Sequence, residues 1–269
     1  MLKLRFTKAY SHFFMLLAAF LLATGSLRPS EARAQSSGNA AAAASTPSDA
    51  VRSFYKALSE KRFREALLAT ALRPAVENLS ATELEDLRRD FEGMATDADK
   101  VQLVGEQISG ERASVFVKLM SDTPSDPPIE LQLRKVSGNW IVIFNEQVEQ
   151  AAKRDGNKYF FKLRIETHEQ DAQNMLMNIA QKQLVYSLQH NGVFADLQTL
   201  VKEQLLPEDV LSSQSTGYNF RVTLSADRKS YTAGAEPAVY GRTGMQSFYM
   251  DPSGIKKADT GGKPYVPKK

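Results

Sequence analysis

Two stretches decide how this chain folds: Ser48–Thr70, SDAVRSFYKALSEKRFREALLAT, and Ser137–Phe144, SGNWIVIF. In the first, Val51, Phe54, Tyr55 and Leu58 fall at i, i+3, i+4 and i+7, while Arg52, Ser53 and Lys56 lie off that line. That is the period of an amphipathic helix, and Ser48 is placed to cap it. Phe63, Ala66, Leu67 and Thr70 then line one side of a second short helix that stops near Pro74. The other stretch carries Trp140-Ile141-Val142-Ile143-Phe144, apolar at every position, as in a strand that is central or covered on both faces.

Between the two lies the change of period that fixes the fold class. Ser80 with Glu83 reads as a capping box, and Leu79 with Leu84 as a hydrophobic staple. The third helix they begin has the stripe Leu84, Leu87, Phe91 and Met94. After Asp97 the apolar period drops to two, at Val115, Val117 and Leu119 and again at Ile129, Leu131 and Leu133. Gly110-Glu111 and Ser137-Gly138-Asn139 sit where hairpin turns belong. Residues 49–155 therefore read as an α+β unit, with helices on one face of a curved antiparallel sheet of about four strands.

Asp155-Gly156-Asn157 marks a boundary, and residues 156–258 form a second unit. Tyr159–Ile165 reads as an extended run joining the two. Thr167 with Gln170 suggests a capping box for a long helix from about His168 to Gln189. Ala172, Leu176, Ile179, Gln183 and Tyr186 supply its packing stripe, thickened by Met175, Ala180 and Leu184. A short helix follows around Phe194–Val201. Three strand-like runs come next (217–224, 230–236 and 246–250), and Asp251-Pro252-Ser253-Gly254 reads as a turn. The expected fold of this unit is a long helix packed on a small antiparallel sheet.

The ends of the sequence read differently. Lys3, Arg5 and Lys8, the uncharged run Phe13–Thr24, and Ala32-Arg33-Ala34 have the three parts of a secretory signal over residues 1–34, with cleavage between Ala34 and Gln35. The apolar run is too short to span a bilayer, so no stable membrane span is expected once the signal is removed. Residues 35–48, QSSGNAAAAASTPS, read as a flexible linker, and residues 259–269 as a flexible basic tail. The formal charge of +3 is an effect of the signal, whose five basic residues face Glu31 alone. The remaining 29 basic and 30 acidic residues carry −1, which argues against nucleic acid as a partner. With no cysteine anywhere, disulfides, thiol nucleophiles, lipoprotein acylation and iron–sulfur clusters are excluded.

The order of elements in the first unit, with SDAVRSFYKALSEKRFREALLAT followed by a capped helix and strands closing on SGNWIVIF, resembles the nuclear-transport-factor-2-like cone, in particular its small exported bacterial forms. That fold hosts isomerases, dehydratases, hydrolases and many non-enzymes, so the resemblance implies a scaffold more than an activity. The second unit carries NGVFADLQTLV at 191–201 and then GYNFRVTLSADRKSYTAGAEPAVYGRTGMQSFYMDPSGIKKAD at 217–259. Its G-Y-x-F, Y-T-A-x-A-x-P and S-F-Y-x-D-x-x-G motifs are similar to the globular head of type IV pilins and pseudopilins, from about Asp171 to Ala258. The likeness stops at the stalk: Ile165–Gln189 contains His168, Glu169, Asp171 and Lys182, which a dry filament core or a membrane would not take.

The residues that could carry chemistry are few. Cone enzymes work with an Asp–His or Tyr/Asp set, but no histidine falls between Asp49 and Arg154. Tyr55 is a hydrogen-bond donor at a ligand pocket or a core aromatic, and Trp140 and Phe144 are either its pocket neighbours or core fillers. The acidic cluster Glu83, Glu85, Asp86, Asp90 and Glu92 reads as a solvated helix face. His168 and His190 are 22 residues apart, roughly 30 Å along a helix, and cannot share a metal. No catalytic set, metal site or cofactor is expected. The sequence points to an exported, non-catalytic protein, periplasmic or extracellular at the cell envelope, that binds a protein partner or a small apolar ligand. The alternatives are an isomerase- or hydrolase-type enzyme using the cone pocket, and an accessory of a type IV pilus or type II-like secretion system.

Overall fold

The computed structural model describes residues 46–120 and 127–267. The signal expected over 1–34, with Ala34 and Gln35, lies outside the described residues, as does most of the expected linker. The chain is α+β and divides into two units between Phe160 and Phe161, each described by itself.

The first unit opens with α1 (Pro47–Ser59), α2 (Phe63–Leu68), α3 (Arg73–Val76), α4 (Ala81–Asp86) and α5 (Arg88–Glu92). The cap of α1 is Thr46 rather than Ser48. Thr46 and Asp49 close a capping box, and Pro47 occupies a first-turn position that needs no N–H. Ser48, inside the helix, donates its N–H and hydroxyl to Glu106 at 3.1 and 2.6 Å. The Ser80–Glu83 capping box forms as expected. The third helix it begins is two short ones, broken at Leu87, with Leu87, Phe91 and Met94 buried and Leu84 half-buried. Asp90, expected on a solvated face, is buried.

The strands β1 (Val101–Ser109), β2 (Arg112–Leu119), β3 (Ile129–Val136) and β4 (Asn139–Val142) form an antiparallel meander in chain order. Its turns fall where predicted, with Gly110 at φ 60° and Ser137-Gly138 at φ 49° and 84°. In β1 the register slips between Leu103 and Gly105, so that Glu106 stands opposite the inward-facing Val115. That slip places the Glu106 carboxylate at the first turn of α1, where an anion is favoured. β4 is an edge strand, not a central one. Its outer edge is nonetheless closed, because Val142 donates to Ala69 at 3.2 Å and Ala71 donates back to Val142 at 2.8 Å. The strand is therefore hydrogen-bonded along both of its edges at Val142. Val51, Val115, Val117, Leu133, Trp140 and Val142 make the core between α1 and the sheet.

A helix absent from the sequence reading follows: α6 (Glu146–Asp155), capped by Asn145, with buried Glu149 paired to Arg134 at 3.2 Å. Gly156, at φ 52°, ends it. The run Tyr159–Ile165 is then helical, not extended. It is the start of α7 (Tyr159–Gln189), 31 residues long. Thr167 is accordingly an interior residue, whose hydroxyl donates to the Leu163 carbonyl at 2.8 Å instead of capping. The aromatic side chains face different neighbours: Phe160 packs edge-on against Phe91 at 5.0 Å, while Arg164 and Arg242 both lie over the Phe161 ring.

In the second unit α7 is followed by α8 (Leu197–Lys202), α9 (Ser213–Thr216) and the strands β5 (Tyr218–Leu224), β6 (Tyr231–Pro237), β7 (Gln246–Asp251) and β8 (Gly254–Asp259). The strands pair antiparallel in chain order. β8 is one strand beyond the three expected, closed by the Asp251–Gly254 turn in which Asp251 accepts from the Ser253 amide at 2.8 Å. Ala172, Leu176 and Ile179 of α7 pack on Tyr218, Ala235 and Phe248 of the sheet. After β8 the chain stays close to β7, with the Thr260 hydroxyl donating to Ser247 at 2.9 Å and Tyr265 edge-on to Tyr249. No helix among the described residues is long and apolar enough to cross a membrane.

Candidate binding groove

Two of the three pocket residues read from sequence meet in the first unit. Tyr55 packs against the core cluster that contains Trp140, and Lys135 lies over the Trp140 ring at 5.8 Å. Burial pushes the Tyr55 phenol up to about 12. Phe144, half-buried beyond β4, is not part of that cluster. A groove of about 510 Å³ elsewhere in this unit, between α2 and α4, is lined by none of the three. Its walls are ionic and self-compensated: Arg88 pairs with Glu85 at 2.7 Å, and Arg62 with both Glu60 and Glu65.

The larger and more apolar groove, about 870 Å³, belongs to the second unit. One wall is α7, through Met177, Ala180, Gln181 and Leu184. The other is built from Phe194, Tyr231 and the β7–β8 hairpin, with Met250, Pro252 and Ile255. Its size falls within the roughly 300–1,000 Å³ of small-molecule sites. Leu184, assigned to the packing stripe by its spacing, is in fact 60% exposed, and Met177 is 49% exposed. Leu188, one further step along the same face, is 78% exposed. Met177, Gln181, Leu184 and Leu188 thus form a second line on α7, spaced 4-3-4, beside the buried one. Apart from Lys182, no charged residue occurs from Ala172 to Gln189.

The far wall is held by a buried amide. Gln183 is fully buried and faces Ala195, which is also fully buried. The Gln183 side chain donates to the Ala195 carbonyl and accepts from its N–H at 3.0 Å. This pair ties the loop before α8 to the helix, as a strand partner would. Next to it, Phe194 donates its amide to Arg228 at 2.9 Å, and its ring tilts against Tyr231 at 4.9 Å between centroids. Lys229 reaches back across the end of α7, donating from Nζ to the Asn191 carbonyl at 3.0 Å. A cation is well placed there, where the last carbonyls of a helix lack partners. Burial pushes the Tyr231 phenol upward.

The histidines are structural neighbours of backbone. His168 Nδ1 lies 3.2 Å from the Thr243 carbonyl, and His190 stacks on Tyr186 with Nδ1 2.9 Å from the Tyr186 carbonyl. Among the described residues no group of three or more His, Asp or Glu side chains is arranged to hold a metal ion.

No protein-family model, curated protein or solved structure matches this chain. The two family resemblances rest on the residues quoted for them.

Proposed function

We propose that this is an exported, non-catalytic binding protein of the cell envelope that holds an apolar ligand in the groove of its second unit. The observation that carries the reading is the exposed line Met177, Leu184 and Leu188 running into a groove floored by Met250 and Ile255. Leucines this exposed, next to a concave apolar wall, cost solubility and contribute nothing to the core, which is the usual mark of a binding surface. The signal-like residues 1–34 support export, and the order of helices and strands in each unit supports the cone-like and pilin-head-like readings.

Two measurements test this. Titration of the full chain with the fluorescent anionic amphiphile 1-anilinonaphthalene-8-sulfonate is expected to show saturable binding that Leu184→Glu weakens at least fivefold. Leu184 is exposed, so the substitution leaves the fold intact, which circular dichroism checks. Equal binding by both proteins would rule out the groove as the site. Mass determination of the protein recovered from the envelope of an expressing bacterium is expected to give a chain beginning at Gln35, and an intact Met1 chain in the cytoplasm would rule out export.

A further inference from the structure

The polar groups around the groove are not balanced. Asp251, the one carboxylate that lines it, is already engaged, and so are Asp227 and Asp196, each two residues from a lining residue. Asp251 accepts from the Ser253 amide and hydroxyl and lies 3.4 Å from Lys256. Asp227 accepts from the Ser225 hydroxyl at 2.6 Å and the Lys229 amide at 3.0 Å. Asp196 accepts from Thr199 at 2.8 Å, with Arg228 at 4.0 Å.

The donors are not used up. Lys229 Nζ makes one hydrogen bond, to a neutral carbonyl, and no carboxylate lies within ion-pair distance of it among the described residues. Asp227 feels its charge without pairing with it. The Tyr231 hydroxyl, on a half-buried ring, has no hydrogen-bond partner among the described residues. Lys229, in the bend before β6, and Tyr231, the first residue of that strand, both line the groove. An apolar groove with spare donors in its lining, one of them cationic, is complementary to a molecule with an apolar body and an anionic oxygen head.

We propose that the groove binds a single-chain amphiphile of the long-chain fatty-acid type, its chain lying along Met177, Leu184 and Met250 and its carboxylate meeting Lys229 and Tyr231. The proposal rests on the groove being the binding site. It adds to that reading the chemistry of the ligand. A flexible alkyl chain suits walls that include two methionines, which adapt to irregular shapes better than branched side chains do.

Displacement of the fluorescent probe from the full chain, below micellar concentrations, tests this with dodecanoate, dodecanol, dodecyltrimethylammonium and octanoate. Dodecanoate is expected to bind five- to tenfold more tightly than dodecanol, and the cationic amphiphile most weakly. Affinity is expected to rise about two- to fourfold per added methylene between octanoate and dodecanoate. Lys229→Gln, which keeps a donor and removes the charge, is expected to bring dodecanoate down to the level of dodecanol without changing dodecanol. Lys229→Glu is expected to reverse the preference towards the cationic amphiphile. Leu184→Glu is expected to weaken all of them, and comparing variants of one chain separates the groove from the apolar run Phe13–Thr24. Equal binding of dodecanoate and dodecanol, with both lost in Leu184→Glu, would overturn the ligand chemistry and leave the groove as the site. Displacement unaffected by Leu184→Glu would overturn the groove itself. Preference for an apolar helical peptide, with no response to chain length, would overturn the amphiphile.

Discussion

The Gln183–Ala195 pair gives the sharpest test of how the groove is built. Gln183→Leu keeps the approximate volume and removes both hydrogen bonds, leaving the N–H and C=O of Ala195 without a partner in a place water does not reach. Each of the two stranded backbone groups costs about 1–3 kcal/mol, so a loss of about 2–6 kcal/mol is expected. Urea unfolding followed by circular dichroism reads the loss. Amide hydrogen exchange at Ala195 and Phe194 locates it, and both are expected to lose protection.

Gln183→Glu separates hydrogen bonding from packing. The new side chain, when ionised, could still accept from the Ala195 N–H but would face its carbonyl with a second acceptor. When protonated it could donate and accept, as glutamine does. Burial and that carbonyl both raise the folded-state pKa of the new carboxyl above the roughly 4.3 of an unfolded chain. The folded state then binds more protons than the unfolded one over that interval. The stability of the variant is therefore full below about pH 4.3, relative to the parent, and is lost as pH rises through the folded-state value. If Gln183→Leu lies within about 0.5 kcal/mol of the parent, or if Gln183→Glu shows no such dependence on pH, the amide pair does not hold the loop.

Three other perturbations probe the two units. Gly244→Ala would drive a Cβ into the Tyr218 hydroxyl, on a ring that is fully buried and held by a 2.8 Å bond to the Gln246 carbonyl. A loss of at least about 2 kcal/mol is expected by thermal unfolding, against about 1 kcal/mol for Gly241→Ala, where space is open and only the positive φ opposes a side chain. Ser80→Ala removes the cap of α4 and is expected to cost about 1 kcal/mol, read by the midpoint of urea unfolding. The buried Tyr55 phenol keeps its proton up to about 12, so the folded state binds more protons than the unfolded one between the ordinary phenol value and that point. Its contribution is present below about pH 10 and is lost above, so Tyr55→Phe is expected to flatten the alkaline loss of stability by an amount on the order of 2 kcal/mol.

Local chemistry was the most legible part of the sequence. The Ser80–Glu83 box, the Gly110 and Ser137-Gly138 turns and the Asp251–Gly254 turn are each decided within a few residues, and all form as read. Tyr159–Ile165 was misread for a reason that is also local. A run of aromatic and aliphatic residues fits a strand or a buried helix equally well, and what decides is packing with residues distant in the chain, Phe91 for Phe160 and Arg242 for Phe161. β4, read as central or covered, is the last strand of its sheet, and its outer edge is bonded by Ala69–Ala71, a partner about seventy residues away in the chain that no local pattern reveals.

The groove was illegible for a deeper reason, visible in two adjacent residues of α7. Gln183 is fully buried and Leu184 is 60% exposed, which inverts what side-chain polarity alone assigns. Spacing placed Gln183 correctly, in the row of Leu176 and Ile179, but also drew Leu184 into the packing face, because Leu184 extends an apolar line of its own with Met177 and Leu188. A buried glutamine is tolerated only if the backbone it meets offers both a donor and an acceptor, and Ala195 does. An exposed leucine row is tolerated more readily, but nothing in the core requires it. The burial of one residue is thus explained by the loop it anchors, and the exposure of the other by the groove that the same loop walls. Gln183 and Leu184 are two consequences of one arrangement. A substitution that frees the loop should therefore weaken ligand binding without touching a single residue that lines the groove.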